Sequence, residues 1–200
     1  MLELLIATGN KGKIAEIGQL LDGQAFVVKG LSDFPAIVEV EETGSTFAEN
    51  AILKARGYGL QAGILSLADD SGLEIEALNN GPGIFSARYG GENTNYQEKI
   101  RLVLAELERT GDEKRRARFV CAMALAGPNG KIIHISEGAC HGTIASQPRG
   151  TGGFGYDPVF VPDGFSGTFG ELAEGVKQQI SHRKRAIDGI MPFLLDFKGV

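Results

Sequence analysis

The chain has 200 residues, of which 42% are hydrophobic, and its formal net charge is −5. This length and apolar content allow one domain over residues 1–200 to bury a core without disulfides. The acidic balance disfavours general binding to nucleic acid, which relies on a broad basic surface. No apolar run approaches the ~18 residues of a membrane span, and no signal-peptide pattern is present, so we expect a cytoplasmic protein without membrane partners. Cys121 and Cys140 lie in apolar runs without metal-ligand spacing, which indicates buried, reduced thiols.

The N-terminal segment has the pattern of a strand, a glycine loop and a helix, with an apolar run over residues 2–7. The loop consists of Thr8, Gly9, Asn10, Lys11, Gly12 and Lys13. A helix that starts here would direct backbone N–H groups, its positive dipole end and two ammonium groups at an anion. The spacing is not that of a P-loop. The loop therefore predicts either a polyphosphate site or an ordinary strand-to-helix turn with solvated lysines.

A second helix is predicted by the capping box of Thr46 and Glu49, followed by an apolar stripe that fades near residues 57–59. Lys54 lies within this helix, where a lone lysine is usually a surface residue. Glu41 precedes the helix together with a second acid, and acids at this position commonly complement the helix dipole. These residues alone do not predict a site.

Two adjacent acids, Asp69 and Asp70, follow a short buried strand that is predicted over residues 64–68. A second strand is predicted over residues 73–77, with a turn at residues 69–72 between the two. Neighbouring side chains on a strand point to opposite faces, so both acids can serve one site only where the chain turns. Paired carboxylates at a strand end suit Mg²⁺. The alternative is a solvated Asx turn.

The middle of the chain predicts a helix and a hairpin. Thr94 and Gln97 form a second capping box ahead of an apolar stripe. Apolar runs over residues 119–125 and 132–135 flank a turn at residues 127–130, whose Asn-Gly step favours positive φ values. Because strands and helices alternate before this antiparallel pair, we predict an α/β fold with a mixed sheet flanked by helices.

The glycine-rich segment over residues 150–155 matches the spacing G-x-G-x-x-G. A dinucleotide fingerprint has to open a helix, whereas residues 156–162 continue as extended chain with prolines, so we reject that assignment. One interpretation is a loop that lets Phe154 or Tyr156 lie flat against a nucleobase, with Asp157 as a hydrogen-bond acceptor. The other is a bend filled by core aromatic side chains.

The last predicted helix begins at Ser181, His182 and Arg183, and Pro192 is expected to kink or interrupt it. Cationic side chains at a helix start oppose the macrodipole, and such a local conflict indicates function. Arg183 could donate to a carbonyl oxygen of a bound base, and His182 could donate or stack. The alternative is a solvated basic turn.

In combination, these segments resemble the inosine triphosphate pyrophosphatase family, whose members hydrolyse XTP, ITP and dITP. The resemblance covers nearly the whole chain. It rests on seven ordered motifs: Thr8-Gly9-Asn10 with Lys13, Glu41-Glu42-Thr43-Gly44, Phe47-x-Glu49-Asn50-Ala51-x-x-Lys54-Ala55-Arg56, Ala68-Asp69-Asp70-Ser71-Gly72-Leu73, Pro82-Gly83-Ile84-x-Ser86-Ala87-Arg88, Gly150 to Pro158, and Ser181-His182-Arg183. It implies an elongated mixed sheet flanked by helices, two lobes with a nucleotide cleft between them, Mg²⁺ dependence and a homodimer.

The resemblance also implies residue roles. Asp70 would accept the proton of the attacking water and, with Glu41, would hold Mg²⁺, while Asp69 is a further candidate ligand. Lys54 would face phosphate, and His182 and Arg183 would read the purine. The complete set of implied substrate-binding residues is Thr8, Gly9, Asn10, Lys11, Gly12, Lys13, Lys54, Ser71, Phe154, Gly155, Tyr156, Asp157, Lys177, His182 and Arg183.

Two alternatives remain open at this point. The related septum-associated nucleoside triphosphate pyrophosphatases share the fold and prefer pyrimidines, but their pattern lacks the Ser-His-Arg element. A catalytically inactive nucleotide-sensing module is the other alternative. The intact acids Glu41, Asp69 and Asp70 count against it, since a sensor does not need a carboxylate that activates water.

Overall fold

The computed structural model describes residues 2–24, 26–91 and 93–197. Its α-helices are α1 (Lys11–Leu20), α2 (Phe47–Ala62), α3 (Tyr96–Thr110), α4 (Glu174–Ile180) and α5 (His182–Asp196). Its strands are β1 (Leu2–Ile6), β2 (Phe26–Gly30), β3 (Leu65–Ile75), β4 (Gly81–Pro82), β5 (Arg116–Ala126), β6 (Ile132–Ile144) and β7 (Phe160–Pro162). No helix in the described ranges has the length and apolar character needed to cross a membrane.

The strands form one sheet in the order β2-β1-β3-β5-β6-β7, with β4 paired to β3. β1 runs parallel to both β2 and β3, whereas β4 is antiparallel to β3 and β7 is antiparallel to β6. The predicted mixed α/β sheet is therefore confirmed.

The chain divides into two compact units. The first comprises Met1–Asp70, Cys121–Gly138 and Arg183–Val200, and the second comprises Ser71–Val120 and Ala139–His182. Each unit has a core of its own. The first packs residues such as Leu4, Ile17, Leu67, Met123 and Ile190, and the second packs residues such as Leu73, Val103, Phe119, Phe160 and Phe169. Cys121 and Cys140 are buried and are not joined in a disulfide, as predicted.

Strand β3 corrects the prediction of two short strands separated by a turn. It runs without interruption over Leu65–Ile75 and includes both acids. Because side chains alternate along a continuous strand, Asp69 and Asp70 point to opposite faces of the sheet. Burial explains why the polar residues did not end the strand, since both carboxylates meet cations and amides of the fold rather than water.

Helix α2 begins as predicted, since Thr46 accepts a hydrogen bond from the backbone N–H of Glu49. The apolar stripe was expected to fade near residues 57–59, and the helix itself continues to Ala62. A Cβ atom at Gly57 would lie 2.7 Å from Val40 Cγ2, and one at Gly59 would lie 3.1 Å from the carbonyl oxygen of Gly127. The glycines therefore serve close packing inside the helix and do not end it.

The cap of helix α3 lies one residue later than predicted. Asn95, not Thr94, accepts from the backbone N–H of Glu98, and the Thr94 hydroxyl donates to the carbonyl oxygen of Gly90. In the following hairpin only Gly130 of the Asn-Gly step has a positive φ, at 73°.

Helix α5 begins at His182, one residue after the predicted start at Ser181, and it continues through Pro192 to Asp196, so the proline does not interrupt it. Residues 150–156 form no helix, and Asp157–Val159 is a single 3₁₀ turn that precedes β7. The rejection of a dinucleotide fingerprint is consistent with this geometry.

Candidate functional site

The loop between β1 and α1 is organised by its asparagine. Asn10 Oδ1 accepts from the backbone N–H groups of Gly12 at 2.9 Å and Lys13 at 3.2 Å, and Asn10 N–H donates to Thr8 Oγ1 at 3.2 Å. The sequence predicted that N–H groups at this helix start would be available to an anion. That prediction needs correction for Gly12 and Lys13, because the Asn10 side chain caps them. Any affinity for anions at this loop must therefore come largely from the lysine ammonium groups.

A buried charge cluster surrounds Asp69. Lys13 Nζ lies 3.0 Å from Asp69 Oδ2, and Arg183 Nη2 lies 3.4 Å from the same oxygen. Arg183 Nη1 also donates to Glu16 on helix α1. Asp69 is 0% exposed and Arg183 is 2% exposed. The sequence identified three of these residues separately but did not predict that they pair with one another, and it did not select Glu16.

Opposing effects act on the protonation of this cluster. Burial alone would raise the pKa of Asp69, but Lys13, Arg183 and Lys54 together hold that pKa well below its ordinary value. Burial likewise disfavours the charged form of Arg183, yet Asp69, Cys121 and Glu16 raise its pKa. Both groups are therefore charged in the folded protein at neutral pH. The attraction between their opposite charges offsets the cost of burying each of them.

The depressed pKa of Asp69 predicts acid sensitivity of the metal-free protein. The unfolded chain binds a proton at Asp69 near pH 3.8, whereas the folded chain resists protonation there, so acid favours unfolding. The stabilisation is present above that pH and is lost as the pH falls toward the folded-state pKa. Lys13→Met should make the acid-dependent loss of unfolding free energy shallower, because it removes one of the cations that lower this pKa.

Urea unfolding in a chelator at several pH values between about 2.5 and 6 measures this effect across the range in which carboxylates titrate. Lys11→Met is the matched control, since Lys11 lies two residues away in α1 and is exposed. Identical acid dependence in the Lys13 and Lys11 variants would contradict the assignment.

A second cluster surrounds Asp70 on the opposite face of β3. Asn50 Nδ2 donates to Asp70 Oδ2 at 3.1 Å, and Lys54 Nζ lies 3.6 Å from Asp70 Oδ1. Lys54 also donates to Glu42 Oε1 at 2.9 Å. Lys54 is 6% exposed, so the expectation of a surface lysine is wrong. The carboxylates of Asp70 and Glu42 hold the buried ammonium in place.

Burial raises the pKa of Asp70 above its ordinary value, although Lys54 and Lys13 act in the opposite direction. Burial would lower the pKa of Lys54, but Asp70, Asp69 and Glu42 together raise it. A carboxylate with a raised pKa beside a fixed cation is a combination typical of a general base.

The two acids ahead of α2 lie in different surroundings. Glu42 reaches Lys54, whereas Glu41, the predicted metal ligand, is exposed. No signal in the sequence separates these two neighbours. Among the described residues, no three His, Cys, Asp or Glu side chains are grouped so that they could hold a metal ion. Mg²⁺ commonly takes one or two protein carboxylates and completes its shell with phosphate and water oxygens, so the carboxylates of Glu41 and Asp70 fit this ion chemically.

In the second unit, Lys177 links two residues of the glycine-rich loop. Its ammonium group donates to Asp157 Oδ2, and it lies 4.7 Å from the ring centroid of Phe154. The backbone N–H of Phe154 donates to the same Asp157 oxygen at 2.8 Å. Asp157 is 2% exposed and Phe154 is half-buried. The Asp157 carboxylate therefore joins the backbone of the loop to the Lys177 ammonium group, and the Phe154 ring lies next to that ammonium group.

Two other predicted residues of the second unit lie in packed surroundings. The Tyr156 hydroxyl donates to the carbonyl oxygen of Ser86, and its ring meets Tyr96 edge-on at 5.5 Å. Tyr156 thus packs in the core rather than flat against another ring. His182 is buried and stacks on Phe119 with ring centroids 4.8 Å apart. Ser71, which directly follows Asp70 within β3, is half-buried.

Comparison with known proteins identifies the class of this molecule. The sequence profile of the Ham1 family matches residues 4–193. A dITP/XTP pyrophosphatase from Halalkalibacterium halodurans is 49% identical over 187 residues, which cover 94% of this chain and 96% of the relative. A dITP/XTP pyrophosphatase from Geobacter sulfurreducens is 48% identical over 187 residues, covering 94% of each chain. The structure of a HAM1 protein from Coxiella burnetii superposes with a TM-score of 0.89 at 42% identity, covering 98% of this chain and 100% of that protein.

The fold is thus the one seen in solved Ham1 proteins, and the chain belongs to the Ham1 family. The family resemblance inferred from the seven ordered motifs is confirmed.

Proposed function

We propose that the protein hydrolyses the deaminated purine nucleoside triphosphates XTP, ITP and dITP to the monophosphate and pyrophosphate, and so removes them from the nucleotide pool. The observation that carries this proposal is the buried Asp70, whose raised pKa and contacts with Asn50 and Lys54 suit a general base. The names of relatives that share almost half of its residues support the same activity.

In the proposed reaction, water attacks the α-phosphorus while the bond from that phosphorus to the bridging oxygen of the leaving pyrophosphate breaks. Asp70 takes a proton from the water, so no covalent intermediate with the protein forms. Lys54, held 3.6 Å from Asp70 Oδ1, places a positive charge near this carboxylate and offsets negative charge on the phosphates.

The triphosphate is assigned to the loop of Thr8, Gly9, Asn10, Lys11, Gly12 and Lys13, together with Lys54. Because Asn10 caps the N–H groups of Gly12 and Lys13, the loop acts chiefly through its two lysines. Lys13 is held by Asp69 and Lys11 is exposed. One lysine is thus fixed in the fold, and the other is available to a phosphate that arrives from solvent.

We assign Mg²⁺ to Glu41 and Asp70. The proposal leaves Asp69 out, because its Oδ2 faces Lys13 and Arg183 and the residue is fully buried. When bound there, the ion would offset charge on the phosphate oxygens.

The base is assigned to the glycine-rich segment, Lys177, His182 and Arg183. Phe154 offers a half-buried ring for stacking, and Gly155 follows it in the chain. Asp157 accepts from the Phe154 backbone N–H and from Lys177 of helix α4, whose ammonium group lies 4.7 Å from the ring centroid. His182 and Arg183 are assigned to the purine. Ser71 and Tyr156 are the remaining residues assigned to nucleotide binding. Since Tyr156 already packs on Tyr96, its contribution is to support the loop.

Selectivity follows from the chemistry at position 6 of the purine. Hypoxanthine and xanthine carry a 6-oxo group that accepts a hydrogen bond from Arg183 or His182, whereas adenine carries an amino group that would face these donors. One such mismatch costs ~1–3 kcal/mol, which corresponds to ~10–200-fold in rate.

Pyrophosphate release from a panel of nucleoside triphosphates with Mg²⁺ tests the proposal directly. ITP, XTP and dITP should be turned over far faster than ATP, CTP or UTP. A preference for pyrimidines would favour the septum-associated class instead. Nucleotide binding without release of pyrophosphate from any member of the panel would favour a sensing module.

We further propose that the protein acts as a homodimer. Exposed apolar side chains such as Val38, Leu60, Phe85 and Leu195 provide area that a second copy could cover. Sedimentation at micromolar concentration should show about twice the chain mass of 21.2 kDa. A strictly monomeric species would refute this prediction.

A further inference from the structure

Asn50 is a buried polar residue to which the proposed reaction gives no task of its own. It lies in the first turn of α2, it is 0% exposed, and both ends of its amide are bonded. Nδ2 donates to Asp70 Oδ2 at 3.1 Å, and Oδ1 accepts from the backbone N–H of Gly44 at 2.8 Å. The amide therefore joins the carboxylate of the proposed base to the segment that carries Glu41 and Glu42.

Donor and acceptor chemistry fixes the orientation of this amide. The backbone N–H of Gly44 can only donate, and the ionised carboxylate of Asp70 can only accept. A half-turn of the amide would set Nδ2 against an N–H group and Oδ1 against carboxylate oxygens, so both contacts would become repulsive. Asn50 therefore presents a donor to Asp70 in a single orientation.

The close packing around Gly44 is a second observation that supports this contact. A Cβ atom at Gly44 would lie 2.6 Å from Glu49 Cβ and 2.7 Å from Asn50 Oδ1. Both distances are too short for a side chain of any kind. Glycine at this position thus permits the approach that lets the Asn50 amide be held at both ends.

Other contacts between α2 and the same segment show what is particular to Asn50. Gln61 Oε1 accepts from Val38 N–H at 2.7 Å, and Gln61 Nε2 donates to the Val38 carbonyl oxygen at 3.0 Å. Val40 N–H donates to the Tyr58 hydroxyl at 3.2 Å. These bonds join the helix to the segment, whereas the Asn50 amide also reaches Asp70. Gln61 is therefore a natural control for the purely structural part of the role.

We propose that Asn50 is a positioning residue for Asp70. Its amide holds Oδ2 and thereby fixes the carboxylate plane, so that Oδ1 keeps one direction relative to the attacking water. The inference rests on the proposed function, because the role of Asp70 as general base defines what Asn50 positions. A misdirected base slows the chemical step more than it weakens substrate binding.

Asn50→Asp keeps an acceptor for Gly44 N–H and replaces the permanent donor to Asp70 with a second carboxyl group, whose ionised form repels the Asp70 carboxylate. We expect kcat for ITP to fall roughly 10–100-fold while KM changes by less than about threefold, because only the chemical step depends on the direction of the carboxylate. Gln61→Ala removes two hydrogen bonds from the same helix and segment and should leave kcat within about twofold of wild type.

A reciprocal exchange gives a readout that does not depend on activity. In the double variant Asn50→Asp with Asp70→Asn, the amide at position 70 can donate to the carboxylate at position 50, so the contact returns with its direction reversed. The urea midpoint of the metal-free Asn50→Asp variant should fall, and the exchange should restore it toward wild type. In the Asp70→Asn background, Asn50→Asp should change the residual kcat by less than about twofold, as expected for residues that act as one unit.

The outcomes distinguish the two proposals. Wild-type kcat in Asn50→Asp, or a midpoint that the exchange does not restore, would overturn the positioning role while the proposed function stands. A wild-type protein that releases no pyrophosphate from ITP or XTP would overturn the proposed function and the positioning role together.

Discussion

Asp70→Asn is expected to lower kcat for ITP by ~10²-fold or more, as loss of a general base requires. The fold should be kept, because the asparagine retains an oxygen that accepts from Asn50 Nδ2 at the same place in β3. Much of the nucleotide affinity should also persist, since the lysines assigned to phosphate are unchanged. Steady-state release of pyrophosphate and nucleotide binding by calorimetry measure the two effects separately.

Asp188→Asn is the matched control for this substitution. Asp188 is an exposed acid of helix α5 that pairs with Lys184, and its change to asparagine should leave kcat unaltered. An Asp70→Asn protein with near wild-type turnover would remove Asp70 from the role of base.

Arg183→Ala should lower activity on ITP and XTP by ~10–200-fold, the range for one lost specific contact, while the already low activity on ATP hardly changes. The physical reason is the loss of a donor to the 6-oxo group, with Lys11 and Lys54 still present for the phosphates. The ratio of kcat/KM values for ITP and ATP measures this effect. Arg185→Ala is the matched control, because Arg185 is an exposed arginine of the same helix.

The burial of Arg183 adds a second expected effect of the same substitution. Removing one partner of a buried ion pair leaves Asp69 and Glu16 without the guanidinium and should lower the free energy of unfolding by ~3–5 kcal/mol. Urea unfolding measures this loss, and the kinetic assays belong at a temperature where the variant is folded. If the ITP and ATP rates fall in parallel, Arg183 acts through Asp69 and Lys13. Recognition of the purine would then be assigned to His182 or to the loop at Phe154.

The sequence by itself determined the fold class, the family and the order of most elements. Apolar periodicity and capping residues are local signals, so Thr46 marked the start of α2 correctly and Ser181 marked the start of α5 to within one residue. The seven ordered motifs identified the family, because family membership is carried by residue types in order and needs no knowledge of contacts.

Only the tertiary structure decided which charges meet. The pair Asp69 and Asp70 suggested a turn with both acids at one site, but buried partners on both faces allow β3 to continue and separate the two carboxylates. The local pattern around Lys54 was that of a surface lysine, and the family resemblance selected Glu41 but gave no role to Glu42, because neither signal records which side chain is enclosed. Burial and pairing depend on elements far apart in the chain, such as Glu16 and Arg183, and these contacts exist only once the chain has folded.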